Sequence, residues 1–132
     1  GDSPLIDQGI IDKAVSLVRE NDYDIVTNVL RRTYPKGQSV EVLRSSAFLK
    51  AFPETRKNTY CEHVTTYFYD NKDNYRIHNI DSGRDAGNIQ LSVDTKNDMK
   101  VFEQIVAKMD RSHWKYNWEE VLGLRNCIVN RA

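Results

Sequence analysis

Two carboxylates in this sequence stand out by position. Asp2 lies in a Gly-Asp-Ser-Pro turn just ahead of a helical pattern, and Asp94 lies where an alternating run ends and a helix capped by Thr95 begins. In open α/β sheets, ligands collect outside the carboxyl ends of strands. Two Asp side chains converging there can hold Mg²⁺, which takes a few carboxylates, several waters and phosphate oxygens. An Asp before a helix is also the ordinary cap or turn former, and each of the two, taken singly, reads that way first. Spacing alone leaves both readings of the pair standing.

A second group sits in the loop Val29 to Gln38, where Arg31, Arg32, Tyr34 and Lys36 crowd around Gly37. An Arg clamps a carboxylate or phosphate with two parallel hydrogen bonds, and Tyr34-Pro35 can form a rigid wall. The plain alternative is a solvated basic loop. His63, after Glu62 at a helix start, can bind a ligand or move a proton, or serve as a hydrogen-bonded structural residue. His78 and His113 read as structural. Tyr60, Tyr67, Phe68 and Tyr69 resemble a stacking platform for bases, but their helical spacing points to a core or a partner-facing surface. The loop Ser82 to Gly87 is glycine-poor for a phosphate cradle and does not open directly into a helix.

The elements that must position these groups alternate between two periods. Asp7 caps a predicted helix over Gln8–Glu20, with Ile10, Ile11, Ala14, Val15, Leu17 and Val18 on one face. Asp24–Asn28 is a β-branched run and predicts a strand; Ser39–Leu43 predicts a second. Ser45 then caps a short helix, Ser46–Phe52, that Pro53 stops, and a polar link runs from Glu54 to Thr59. Tyr60–Tyr69 predicts a helix with Val64, Tyr67 and Phe68 inward. Tyr75–Ile80 and Asn88–Val93 predict two more strands, the latter with Ile89, Leu91 and Val93 on one face. Thr95 and Asp98 have the spacing of a capping box, ahead of a stripe of Phe102, Ile105, Val106 and Met109. Asp110–Asn117 reads as a linker, Trp118–Leu124 as a last short helix, and Arg125–Ala132 carries no pattern. The class is α/β, a single domain over 1–132. Four short strands would leave a wide sheet edge uncovered; with the abrupt Gly1-Asp2-Ser3-Pro4 opening, this suggests a portion of a larger fold.

Composition narrows the partners. The 132 residues carry 19 basic and 19 acidic side chains, so the net charge is zero, which argues against a nucleic-acid-binding protein. No apolar run approaches the ~20 residues needed to span a bilayer, and no charged-then-apolar leader is seen; the expectation is a soluble, cytoplasmic protein. Cys61 and Cys127, far apart, are expected to be free thiols.

Taken in order, these segments resemble one family. Gly1-Asp2-Ser3-Pro4-Leu5-Ile6-Asp7 is similar to the "GDCPLID" turn of spore-coat polysaccharide biosynthesis protein F and its cytidylyltransferase relatives. Asp24–Asn28 is similar to that family's "YVSN". Arg32-Thr33-Tyr34-Pro35-Lys36-Gly37 with Val40-Glu41-Val42 resembles "RTYPRG-x-D-VEVF". Glu62-His63-Val64-Thr65 matches "EHVT", Leu91-Ser92-Val93-Asp94-Thr95 with Asp98 resembles "LTVDTPEDL", and Trp118-Glu119-Glu120-Val121-Leu122 resembles "WEEVL". The resemblance spans nearly the whole chain. It implies a nucleotide-diphospho-sugar transferase-type, Rossmann-like mixed sheet with flanking helices, of which this chain is the carboxyl-terminal portion. The implied enzyme joins CTP to a sugar for surface polysaccharide biosynthesis and releases pyrophosphate. Asp2 and Asp94 would be the catalytic Mg²⁺ ligands, while Asn28, Arg32, Tyr34 and Glu41 would line or shape the sugar side, with His63 facing the site.

The departures are Ser3 in place of Cys, Cys61 where Arg precedes "EHVT", and Gln38-Ser39 in place of "LD", which removes an acidic group beside the sugar loop. The family's glycine- and arginine-rich triphosphate loop is not in this chain, so the chain by itself is expected to be inactive. Two alternatives remain open: a nucleotide-sugar-dependent glycosyltransferase of the same fold, and a non-catalytic sugar-binding or dimer-forming module, with a homodimer through Val40–Leu43 or Tyr60–Tyr69.

Overall fold

Short β-branched runs between amphipathic helices give a mixed α/β structure with, among the described residues, five helices and a three-stranded sheet. The computed structural model describes residues 1–56 and 59–130; Lys57 and Asn58 of the expected polar link and Arg131 and Ala132 of the tail lie outside them. The elements are α1 (Gln8–Glu20), β1 (Ile25–Thr27), β2 (Glu41–Leu43), α2 (Ser45–Thr55), α3 (Val64–Asp70), β3 (Ile77–Asn79), α4 (Lys96–Ala107) and α5 (Trp118–Val129). Single 3-10 turns occupy Lys72–Asn74 and His113–Lys115. Two compact units result: Gly1–Ile10 with Arg32–Ser39 and Ser82–Ala132, and Ile11–Arg31 with Val40–Asp81.

The unit built from Ile11–Arg31 and Val40–Asp81 holds the sheet, in the order β2-β1-β3. β1 pairs antiparallel with β2, Val26 opposite Val42, and parallel with β3, Val26 opposite His78. As the central strand, β1 has all three residues buried, as expected of an apolar run covered on both faces. Phe68 of α3, fully buried, packs with Ala47 and Ala51 of α2 and meets the Tyr75 ring at 4.7 Å; burying such a side chain stabilises by about 2–3 kcal/mol. Arg44 closes the end of α1. Its guanidinium donates to the carbonyls of Val18 (2.5 Å), Asn21 (2.6 Å) and Tyr23 (2.9 Å), which serves carbonyls that a helix end leaves without backbone partners.

The unit containing both chain termini has a core of Leu5, Leu91, Ile105, Tyr116 and Val121, with Phe102, Met109 and Leu124 packed against it. Its helices start from reciprocal caps. Thr95 accepts from the Asp98 amide while Asp98 accepts from the Thr95 amide, and Asn117 and Glu120 do the same for α5. Its amino-terminal turn is fastened by two buried polar side chains. Gln38 accepts from the Asp7 amide (2.8 Å) and donates to the Leu5 carbonyl (2.7 Å). The Asp7 carboxylate accepts from the amides of Gly9 (2.7 Å) and Trp118 (3.0 Å).

Several sequence-based expectations are corrected. α2 does not stop before Pro53 but runs through it to Thr55. The hydrogen bond that proline forfeits belongs to the carbonyl of Leu49, an exposed residue where water can serve. The Phe52 carbonyl is meanwhile taken up by the Arg56 amide and the Thr55 hydroxyl. α3 begins at Val64 rather than Tyr60, because His63 has non-helical dihedrals and no side chain caps the turn before it. The run Asn88–Val93 forms no strand. Only Gln90 pairs, in a single parallel bridge to Lys36, since Gly37 at φ +93° turns the partner segment away after one residue. α5 continues past Leu124 to Val129. Val106 is 41% exposed and lies outside the core stripe.

Candidate active site

The side chains of Gln90, Ser92 and Asp94 meet on one side of the segment that leads into α4. Asp94, at the end of that segment, is exposed. Its carboxylate is not the cap of α4, a role taken by Thr95 and Asp98. Instead, Asp94 Oδ2 accepts from the Gln90 side-chain amide (2.5 Å) and the Ser92 hydroxyl (3.1 Å). The ordinary reading of an Asp before a helix therefore does not describe Asp94.

Asp2 is joined to the same segment through the backbone, the Val93 amide donating to the Asp2 carbonyl at 2.7 Å. The exposed Asp2 carboxylate accepts from the Ser3 hydroxyl at 3.1 Å. Asp2 and Asp94, 92 residues apart in sequence, line one open depression together with Ser3, Arg32, Lys36, Gly37, Ser39 and Ser92. The floor is made by a close backbone approach. A Cβ on Gly37 would lie 2.6 Å from the Ser92 nitrogen and 2.7 Å from the Leu91 carbonyl carbon, so only glycine lets the basic loop lie against the Asp94 segment. Arg32 is anchored by a 2.9 Å bond from its guanidinium to the Ser39 hydroxyl. The depression thus places two carboxylates and two cationic side chains together.

Two carboxylates beside an open space suit Mg²⁺, which binds through one or two carboxylates and completes its shell with water and phosphate. Among the described residues no three or more His, Cys, Asp or Glu side chains gather as a metal site. Cys61 and Cys127 are not in a disulfide.

Of the residues singled out from sequence, Asp2, Arg32 and Asp94 are brought together at this depression. Tyr34 belongs to the same unit but is buried, its ring edge-on to Trp118 at 5.4 Å. Asn28, Glu41 and His63 belong to the sheet-containing unit. Asn28 is 1% exposed and locks the end of β1 to Val40, its amide donating to the Val40 carbonyl (3.1 Å) and its side-chain oxygen accepting from the Val40 amide (2.8 Å). Glu41 accepts from the Tyr69 hydroxyl. Burial first, and this bond to Glu41 second, push the Tyr69 phenol well above its ordinary value. His63 precedes α3 with its side chain 77% exposed, 4.0 Å from the Glu62 carboxylate. Sequence reasoning missed Gln90, Ser92 and the buried Gln38. The first two were legible as the polar phase of the Ile89-Leu91-Val93 alternation.

The described residues define a mixed α/β fold in which two carboxylates and two basic side chains line one open depression. Among solved structures the chain is similar to a cytidylyltransferase from Leptospira borgpetersenii, with a TM-score of 0.88 at 23% identity, over 98% of this chain and 54% of that one. The fold therefore matches part of the fold of that neighbour. The chain is also 29% identical over 112 residues to an uncharacterized protein of Methanocaldococcus jannaschii, a match covering 83% of this chain and 45% of that relative. It thus spans about half the length of the proteins it matches. No family model matches it. Among the described residues no helix is long and apolar enough to cross a membrane.

Proposed function

We propose that the chain carries the metal and sugar side of a nucleotidyltransferase that activates a sugar with CTP and releases pyrophosphate, in a nucleotide-diphospho-sugar transferase-type fold. The observation that carries this reading is the meeting of Asp2, Asp94, Arg32 and Lys36 at one depression. In the proposed reaction a sugar hydroxyl attacks the α-phosphorus of CTP and pyrophosphate departs. Such transfers are driven by positioning and charge neutralisation rather than by covalent chemistry of the protein. Asp2 and Asp94 would hold Mg²⁺, which supplies Lewis-acid neutralisation of phosphate oxygens when bound. Arg32, its guanidinium fixed by Ser39, would hold an anionic group of the sugar, and Lys36 adds a second positive charge beside it. Asn28 and Glu41 shape β1 and β2, and Tyr34 backs the basic loop. A role in surface polysaccharide synthesis, of the spore-coat kind, follows the sequence resemblance.

The test is a pyrophosphate-release assay with CTP, Mg²⁺ and a panel of sugar acids, run on the product of the whole reading frame that encodes this chain. Pyrophosphate formed only with a sugar present supports the reading. Release of a nucleoside mono- or diphosphate from a nucleotide-sugar instead would make it a glycosyltransferase. Sugar binding without turnover would make it a binding module.

A further inference from the structure

We propose that Gln90 and Ser92 are positioning residues for the Asp94 carboxylate, holding one of its oxygens so that the other meets a divalent cation. This rests on the reading of Asp94 as a metal ligand. The Gln90 side-chain nitrogen lies 2.5 Å from Asp94 Oδ2, 2.7 Å from the Ser92 hydroxyl and 3.3 Å from the Ser92 carbonyl. A carboxylate and a carbonyl only accept, so the amide must present its NH₂ here. The Ser92 hydroxyl accepts from Gln90 and donates to the same Oδ2. Both bonds land on one oxygen, and among the described residues no donor meets Oδ1.

The support beneath Gln90 is itself fixed. Lys36 accepts from the Leu91 amide (2.8 Å) and donates to the Ile89 carbonyl (2.9 Å), and Arg125 donates to the Gln90 carbonyl (3.0 Å). On the other side, Asp98 holds the Asp94 amide at 3.2 Å. Backbone and side chain of Asp94 are thus held by different groups. The chemistry of the donors also matters. A Lys or Arg at position 90 would neutralise the carboxylate, whereas an amide and a hydroxyl orient it and leave its charge for the cation. Groups that orient a ligating carboxylate in this way set metal affinity by about ten- to a hundredfold.

The experiment uses Mn²⁺ alone as the probe, titrated into the isotope-labelled chain. Paramagnetic broadening of the Ser3 and Asp94 amides gives site and affinity, and thermal melting is followed in parallel. Gln90→Leu and Ser92→Ala should each weaken Mn²⁺ about tenfold with the broadening still centred on those amides. Ser92→Thr, which keeps the hydroxyl, should bind within about twofold of the parent. Parent-like affinity in Gln90→Leu and Ser92→Ala, while Asp94→Asn abolishes broadening, overturns the proposal and spares the metal reading. A lower melting temperature with unchanged affinity also overturns it, by assigning the two residues to the fold. Unchanged binding in Asp94→Asn removes the metal reading, and the proposal with it.

Discussion

The Val93 amide donates to the Asp2 carbonyl at 2.7 Å. This one backbone bond places the first turn of the chain beside the residue that precedes Asp94. The two carboxylates are therefore registered by the backbone, and their meeting does not depend on the side chains themselves.

That arrangement separates chemistry from folding. Because Thr95 and Asp98 make the cap, Asp94→Asn is expected to leave the melting temperature of the chain unchanged. In the product of the whole reading frame it should lower pyrophosphate release by about a hundredfold or more. Asp98→Ala should do the reverse first, lowering the melting temperature. Melting curves and initial rates on the two variants check this, and normal turnover in Asp94→Asn would remove Asp94 from the site.

Gly37 and Gly83 make a matched pair. Both have positive φ, +93° and +74°, but a Cβ at Gly83 meets nothing within 4 Å, whereas at Gly37 it collides with the Ser92 and Leu91 backbone. Gly83→Ala should cost only the conformational penalty of about 1 kcal/mol. Gly37→Ala adds the overlap and should cost about 3 kcal/mol or more. Denaturant unfolding of both variants measures the difference.

Gln38, fully buried, satisfies the Asp7 amide and the Leu5 carbonyl at once. Gln38→Leu leaves both backbone groups buried and unpaired and should destabilise by about 2–5 kcal/mol. The same change at exposed Gln8 should be nearly silent. Urea midpoints decide between them.

Acid should loosen the two capped helices. The Thr95 hydroxyl holds Asp98 below its ordinary value of 3.8, and the Asn117 amide holds Glu120 below its ordinary 4.5. Both carboxylates are thus more acidic folded than unfolded. Their contribution is complete above the unfolded values and is lost as pH falls through the lowered folded ones. Melting temperature should therefore drop across that interval, with a shallower slope in Asp98→Asn/Glu120→Gln. An unchanged slope in that variant would show that other groups carry the acid sensitivity.

The parts legible in the sequence were those decided locally. The bounds of α1 followed from the Asp7 cap and the apolar spacing, and the start of α4 from the Thr95–Asp98 spacing. The same cap spacing recurs at Asn117 and Glu120. The rest was decided by distant partners. The alternation of Ile89, Leu91 and Val93 announces a strand, but a strand needs a neighbour, and Gly37 withdraws the neighbour after Lys36. The length of α5 depends on Ile128 packing against the core and on Arg125 bonding to Gln90. The substitution Gln38-Ser39 looked like a change in the sugar loop; Gln38 instead proves to be a buried brace, which its neighbours in sequence do not reveal.

The Asp7 carboxylate receives amides from Gly9 and from Trp118, residues on either side of a span of more than a hundred positions. One side chain thus ends the opening turn and starts the final helix. Trimming the chain at its front should therefore be felt at its back. A protease cut that removes the first seven residues would strip both α1 and α5 of this carboxylate, and fraying should start at Gly9 and at Trp118 together.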